Sequence, residues 1–214
     1  KGALFMLAGA LDHETGTKDI TLMGGLRKSM PATATIAAFA ALSLAGLPPL
    51  FGFIAKELML EALIDAPVWS GVLLFVTVAA AMLIVGVAGL VAIKPFFGAK
   101  GDTPKTPHEA PFGMLIGPAV LTIIALVFGL LPFIPENALL TAAVASVYGA
   151  PVDFYLALWH GINAPLMLSA ASLVVGLLLF KAWPRIQPTL YAINYAGGRV
   201  GPEAGYFKFM EWIT

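Results

Sequence analysis

Long apolar stretches separated by short polar segments make up most of this 214-residue sequence. Four stretches are long enough to cross about 30 Å of hydrocarbon, which takes about 20 helical residues. A shorter apolar run at 2–11 cannot span, and we interpret it as the tail of a helix in an internal fragment. The pattern predicts an all-α fold, a multi-pass transmembrane helical bundle with spans at about 30–65, 69–93, 112–133 and 156–180.

Basic residues are distributed unevenly over the polar segments. Lysine and arginine occur in 12–29, in 94–111 and after 181, whereas 134–155 contains neither. Because cytoplasmic loops are enriched in these residues, the alternation predicts that 12–29 and 94–111 are cytoplasmic. Residues 184–214 mix aromatic with charged side chains, which is typical of an interfacial amphipathic helix, here leading towards a C-terminal region beyond this sequence.

The composition agrees with a membrane protein. Charged residues make up 11% of the chain and the mean hydropathy is +0.90, whereas soluble domains carry about 25% charged residues. The expected surroundings are therefore a lipid bilayer. A net charge of zero gives no reason to expect nucleic acid as a partner. Nucleotide, flavin and nicotinamide motifs are absent from the sequence, so we expect no cofactor.

The first long stretch exceeds the length of one straight transmembrane helix. Its 36 residues would measure about 54 Å, and tilting does not absorb that excess. Pro48 and Pro49 each lack an N–H and clash with the preceding turn, so the helix must kink or break there. Gly46 and Gly52 loosen the backbone further. Broken helices at membrane depth are typical of transporter ion sites.

Lys56 follows the predicted break by two helical turns and is the main candidate functional residue. Placing a lysine near the bilayer centre costs about 2.5–3.5 kcal/mol on insertion scales. Desolvation favours the neutral amine, so a buried lysine can take up and release protons. A lysine that snorkels to the outer interface is the alternative, since Asp65 marks the helix end. The neighbouring break favours a proton relay.

Other ionisable residues are weaker candidates. Glu57 and Glu61 lie four residues apart on one helix face. They form an acidic patch that attracts a cation or a lysine of another subunit, or they merely line the outer mouth of the helix. Lys1 precedes ten apolar residues and is expected inside the membrane. His160, beside Trp159 near the outer end of its span, is either a proton relay or a structural histidine bonded to a neighbouring helix.

The loop residues Asp12, His13 and Glu14 are consecutive. They superficially resemble a metal-binding cluster, but consecutive loop residues rarely converge on one ion. We therefore predict a loop that contacts another subunit, and no metal site.

Three segments resemble a known family of membrane proteins. Residues 1–9 (KGALFMLAG), 23–31 (MGGLRKSMP) and 46–57 (GLPPLFGFIAKE) are similar to the antiporter-like subunits of respiratory complex I and of Mrp-type sodium/proton antiporters. DHETGTKD at 12–19 and LWHG at 158–161 resemble the large A subunit of Mrp antiporters more than its complex I counterpart. The resemblance implies that Lys1 and Lys56 relay protons, and that 1–183 is the C-terminal part of an antiporter-like domain.

The function implied by this resemblance is proton translocation within a multisubunit Na⁺/H⁺ antiporter of a bacterial plasma membrane. Such a chain is a secondary transporter rather than an enzyme, and its partners are other subunits, Na⁺ and H⁺. One alternative is the proton-pumping subunit of NADH:quinone oxidoreductase. A second is a scaffold that transports nothing and whose lysine only pairs across an interface.

Overall fold

The computed structural model describes residues 1–159 and 161–197, and over these residues the regular structure is helical. The all-α fold predicted from the sequence is confirmed. Some connections are short, whereas the segments 16–30, 93–111 and 149–163 are long. A one-turn 3₁₀ helix covers Leu26–Lys28, and a π-helix covers Glu136–Leu140. The α-helices are α1 (Gly2–Thr15), α2 (Pro31–Ala45), α3 (Phe51–Ile64), α4 (Ser70–Ala92), α5 (Phe112–Leu130), α6 (Phe133–Pro135), α7 (Thr141–Tyr148) and α8 (Ala164–Gly197).

Three of the described helices are long and apolar enough to cross a membrane: α4, α5 and the Ala164–Ile193 part of α8. The stretch predicted at 30–65 is divided instead between α2 and α3, of 15 and 14 residues. Each measures about 21–23 Å, which is shorter than the hydrocarbon core. A crossing at this point therefore needs both helices.

The last span begins later than the sequence pattern predicts. Helix α8 starts at Ala164 rather than at Leu156, because Asn163 caps it through a 3.0 Å bond from the Leu166 N–H to Oδ1. Leu156 instead lies in the preceding segment, where its N–H donates to Glu136 Oε2 at 2.6 Å. Gly161, with φ of 87°, turns the chain between the two.

The segment predicted as a separate interfacial helix begins inside α8. Residues 184–197 continue that helix, with Pro184 and Pro188 within it. The remainder of the segment, 198–214, lies outside the described residues, as does His160.

The main core joins α1, α2, α4 and α5. Its α2 side chains are mostly alanines, among them Ala37 and Ala41, which are 1% and 6% exposed. Small side chains let helix backbones approach closely, which favours association of helices that both face lipid. Large apolar side chains of α4 point outwards, and Phe75 is 74% exposed. Helices α2 and α4 thus direct mainly small residues inwards and large ones to the surface.

A carboxylate from a distant loop caps the start of α2. Glu109 accepts hydrogen bonds from the N–H groups of Ala32 (2.7 Å) and Thr33 (3.1 Å), and from the Thr33 hydroxyl. A negative charge at a helix N-terminus is stabilised by the unpaired N–H groups and the helix dipole. This cap ties the loop before α5 to the beginning of the broken helix.

Helix α5 packs directly on the segment between α2 and α3. Phe128 of α5 meets Phe51 edge to face, with ring centroids 5.9 Å apart. The backbone of α5 at Gly129 comes closer still to this segment, because a Cβ added to Gly129 would overlap the Pro49 carbonyl oxygen. The break is therefore held by backbone-to-backbone contact with α5.

We expect Gly129→Ala to destabilise the full-length subunit by about 1–3 kcal/mol, the usual cost of forcing an extra methyl group into a packed site. The measurement is the thermal midpoint of the purified protein in detergent. Gly113→Ala is the matched control on the same helix, since nothing lies within 4 Å of a Cβ there. Equal midpoints for the two variants would contradict the close approach.

Candidate functional site

The break between α2 and α3 is formed by a helix stop followed by two prolines. Gly46 adopts φ of 75°, and its N–H donates to the Ser43 carbonyl while the Leu47 N–H donates to the Leu42 carbonyl. This pair of bonds is the Schellman motif, which ends a helix and satisfies two of its last carbonyls. The Pro48–Pro49 peptide is cis, and α3 begins at Phe51.

Two glycines allow close contacts around the break. A Cβ on Gly46 would lie 2.8 Å from Lys56 Cε, and one on Gly52 would overlap the Ser43 carbonyl oxygen. Gly46 therefore makes room for the lysine side chain, in addition to supplying the left-handed conformation. Gly52 lets the first turn of α3 lie against the last turn of α2.

Lys56 directs its amine back to the break. Nζ donates to the Ala45 carbonyl oxygen at 3.1 Å and to Ser172 Oγ of α8 at 3.3 Å. The Schellman bonds leave the Ala45 carbonyl without a partner from the turn, and a cation near the C-terminal end of a helix is also favoured by the helix dipole. The half-buried ammonium thus joins α2, α3 and α8.

The serine partner on α8 is buried together with a second serine. Ser172 Oγ donates to the Ser169 carbonyl oxygen at 2.7 Å, and both residues are 1% exposed. Sequence analysis missed them, because two serines in an apolar helix carry no signal of their own. Only the packing of α8 against α3 brings Ser172 to Lys56.

The two glutamates of α3 differ in their surroundings. Glu57 is 8% exposed, whereas Glu61, one turn further on, is exposed. A single acidic surface patch formed by both carboxylates does not fit this difference. Glu57 and Glu61 remain candidate site residues only because they follow Lys56 on α3.

Lys1 approaches the break through a cleft that Ser172 does not line. It precedes α1, is exposed, and borders a cleft of about 400 Å³ together with Ser43, Gly52 and Thr122. The Thr122 hydroxyl donates to the Pro118 carbonyl at 2.7 Å. The cleft gives Lys1 access to the broken helix, whereas the Lys56 amine contacts α8.

The predicted subunit-contact loop folds back onto the protein itself. Glu14 is 2% exposed, and its two oxygens bond His13 Nδ1 at 2.8 Å and His108 Nδ1 at 2.9 Å. Lys105 Nζ also donates to the His13 carbonyl at 3.0 Å. These contacts, which we call the loop clasp, join the last turn of α1 to loop 94–111. Asp12, His13 and Glu14, which the sequence analysis placed in a loop, thus lie at the end of a helix. Asp12 instead forms an exposed pair with Lys18 at 3.6 Å.

No metal site is indicated among the described histidines, aspartates and glutamates, because no three of them converge in a metal-binding group. One loop carboxylate is electrostatically distinctive. Hydrogen bonds from the Thr21 side chain and backbone N–H lower the pKa of Asp19, which is fully exposed. Because no metal-binding group is found among the described residues and Asp19 is fully exposed, the break with Lys56 remains the principal candidate site.

Comparison with known proteins agrees with the resemblance predicted from the sequence. Residues 1–83 match the family described as "NADH:quinone oxidoreductase/Mrp antiporter, TM". The Na⁺/H⁺ antiporter subunit A1 of Staphylococcus haemolyticus is 36% identical over 213 residues, and that of Staphylococcus aureus strain Newman is 35% identical over 215 residues. Each match covers 91% of this chain but 26% of the relative, so the chain spans about a quarter of their length.

A solved structure gives the same result for the fold. The chain matches part of the Mrp complex from Dietzia sp. DQ12-45-1b with a TM-score of 0.74 and 30% sequence identity. This match covers 99% of the present chain and 22% of that chain. The predicted resemblance to antiporter-like membrane subunits is therefore confirmed.

We expect Glu14→Ala to open the loop clasp, because His13 and His108 lose their shared acceptor. Loss of hydrogen bonds to a charged group, at about 1.5 kcal/mol or more, should accelerate tryptic cleavage after Lys100 and Lys105 about tenfold. Limited proteolysis of the purified full-length subunit measures this rate. Asp12→Ala is the control, since an exposed ion pair contributes little. Equal cleavage rates would show that the clasp does not hold the loops.

Proposed function

We infer that this chain is a segment of the A-type subunit of a multisubunit Na⁺/H⁺ antiporter, and that it contributes to proton translocation by that subunit. The observation that carries the proposal is the Lys56 amine, bonded to the end of a broken helix inside an apolar bundle. Similarity to two A1 subunits supports the assignment. The subunit acts as a secondary transporter rather than as an enzyme.

The proposed chemistry at Lys56 depends on its carbonyl acceptor. Bonding of an ammonium to the Ala45 oxygen contributes about 1.5–3 kcal/mol, and the end of the α2 dipole adds about 0.3–1 kcal/mol. These contributions offset the cost of holding a charge at membrane depth. A movement that separates Nζ from Ala45 removes these two contributions, so the desolvation cost then favours release of the proton. Return of the amine to the carbonyl favours proton uptake.

Lys1 is proposed as a second relay lysine. It borders the cleft that reaches the first turn of α3, where Ser43 and Thr122 supply polar atoms. Such a cleft could hold water that carries protons to the broken helix. Lys56 then lies on the far side of the break, towards the outward half-channel.

The proposed surroundings are a bacterial plasma membrane, with loops 12–29 and 94–111 on the cytoplasmic side. The basic residues of those loops support this orientation. Partners are the other subunits of the antiporter, with Na⁺ and H⁺ as the transported ions. Asp12 and the outer face of the loop clasp are proposed to contact a neighbouring subunit.

A proton-pumping subunit of NADH:quinone oxidoreductase is the second candidate function. It is favoured by one observation, since the family that matches residues 1–83 includes both kinds of complex. The named A1 relatives favour the antiporter. Sodium-dependent proton movement without NADH or quinone distinguishes the two.

The orientation is testable because this chain contains no cysteine. We expect Asp102→Cys to react with a membrane-impermeant maleimide only from the cytoplasmic side, and Asp153→Cys only from outside. Both positions are exposed. Labelling of intact cells and everted vesicles compares the two sides, and the reverse pattern would overturn the proposed sidedness.

We expect Lys56→Ala to abolish cation/proton exchange while the subunit still inserts, because removing a charge lowers the insertion cost by about 2.5–3.5 kcal/mol. Lys56→Arg should be equally inactive, since a guanidinium hardly ever loses its proton. Lys56→His, which can titrate, should retain partial exchange. Proton flux in everted vesicles gives the rates, with assembly checked in parallel and the exposed Lys100→Arg as control. Near-normal exchange by Lys56→Arg would mean that Lys56 is only a fixed charge.

A further inference from the structure

The two acceptors of the Lys56 amine differ in chemistry. The Ala45 carbonyl oxygen, 3.1 Å from Nζ, can only accept a hydrogen bond. The Ser172 hydroxyl, 3.3 Å from Nζ, can accept one and donate one. Ala45 can therefore only accept from the N–H groups of the amine, whereas Ser172 can also donate to the lone pair that the amine has when it is neutral.

We propose that Ser172 of α8 is a positioning residue that holds the Lys56 amine against α8 in both of its protonation states. This inference rests on the proposed relay function of Lys56. It assigns to α8 the positioning of the relay amine, in addition to its packing.

In the charged state, the Ser172 oxygen accepts from the ammonium while its own hydrogen goes to the Ser169 carbonyl at 2.7 Å. After proton release, the amine has a lone pair and becomes an acceptor. Rotation of the Ser172 hydroxyl then directs its hydrogen to Nζ. The Ser169 carbonyl lies within α8, where the helix ladder supplies a backbone donor. The switch exchanges one hydrogen bond for another and breaks no covalent bond.

Burial makes this hydroxyl difficult to replace. Ser172 is 1% exposed, so water does not readily replace its side-chain oxygen. Loss of that oxygen leaves the polar amine without a hydrogen-bond partner on α8. Apolar packing, rather than the serine, holds the two helices together. Phe53 and Ile54 of α3 are buried in a cluster against which Leu166 of α8 packs. Removal of the hydroxyl should therefore leave the helix positions unchanged.

Ser169 provides a matched comparison on the same helix. It is also 1% exposed and lies one turn before Ser172. Its hydroxyl oxygen makes no hydrogen bond within the part of the chain that the structure describes. Ser169→Ala thus removes an equally buried hydroxyl that is not hydrogen-bonded to Lys56.

The test uses the full-length subunit in the complete complex, reconstituted in everted vesicles, with sodium-dependent proton flux as the readout. We expect Ser172→Ala to reduce the maximal exchange rate about tenfold, as for loss of one hydrogen bond to a charged group. The sodium concentration at half-maximal rate should remain unchanged. Ser172→Thr, which keeps the hydroxyl, should restore the rate to within about twofold, and Ser169→Ala should match the unmodified protein.

A wild-type rate in Ser172→Ala, or equal losses in Ser172→Ala and Ser169→Ala, would overturn the inference. If the extra methyl group of threonine prevents assembly, Ser172→Cys replaces it. Its thiol is a weak donor and acceptor, so its rate should lie between those of serine and alanine, and a rate equal to that of alanine would count against the inference. Lys56→Ala separates the two proposals. If this variant exchanges normally, the relay function itself fails. If Lys56→Ala is inactive and Ser172→Ala is fully active, only the role of Ser172 is rejected.

Discussion

Backbone hydrogen bonding at membrane depth is the constraint on which the rest of this structure depends. A helix that stops inside the hydrocarbon leaves carbonyl groups that water cannot reach. The Schellman bonds at Gly46 satisfy two of them, and the Lys56 amine satisfies the carbonyl of Ala45. Burying the lysine charge alone would cost free energy, and so would leaving the Ala45 carbonyl without a donor. The hydrogen bond between the two groups offsets both costs.

The packing of neighbouring helices makes this arrangement possible. Alanines bring α2 close to the core helices, Gly129 lets α5 touch the Pro49 carbonyl, and Gly52 brings α3 against the last turn of α2. Large side chains would hold these backbones apart and admit either lipid or voids. At the opposite end of α2, Glu109 caps the helix from the loop that also takes part in the loop clasp. Both ends of the short helix are therefore fixed by polar contacts from elsewhere in the chain.

The same geometry explains why a lysine suits the proposed transport function. An amine on a flexible side chain can move between a carbonyl that favours its charged form and surroundings that favour its neutral form. Arginine would keep its charge in both positions. Because Ser172 can donate or accept, it can stabilise the amine in either form. Proton movement can then be coupled to small shifts of α3 relative to α2.

The sequence by itself determined the helical membrane fold, the break at Pro48 and Pro49 and the position of Lys56 near it, because apolar length, missing N–H groups and charge are local properties. It did not determine the start of α8, since capping by Asn163 and the bond from Leu156 to Glu136 depend on the path of the chain. The partners of Lys56 and of Glu14 lie 116 and 94 residues further along the chain in Ser172 and His108. Only the tertiary structure could identify these pairs, because the local sequence around a serine in an apolar helix or a histidine in a loop does not indicate which distant residue it will contact.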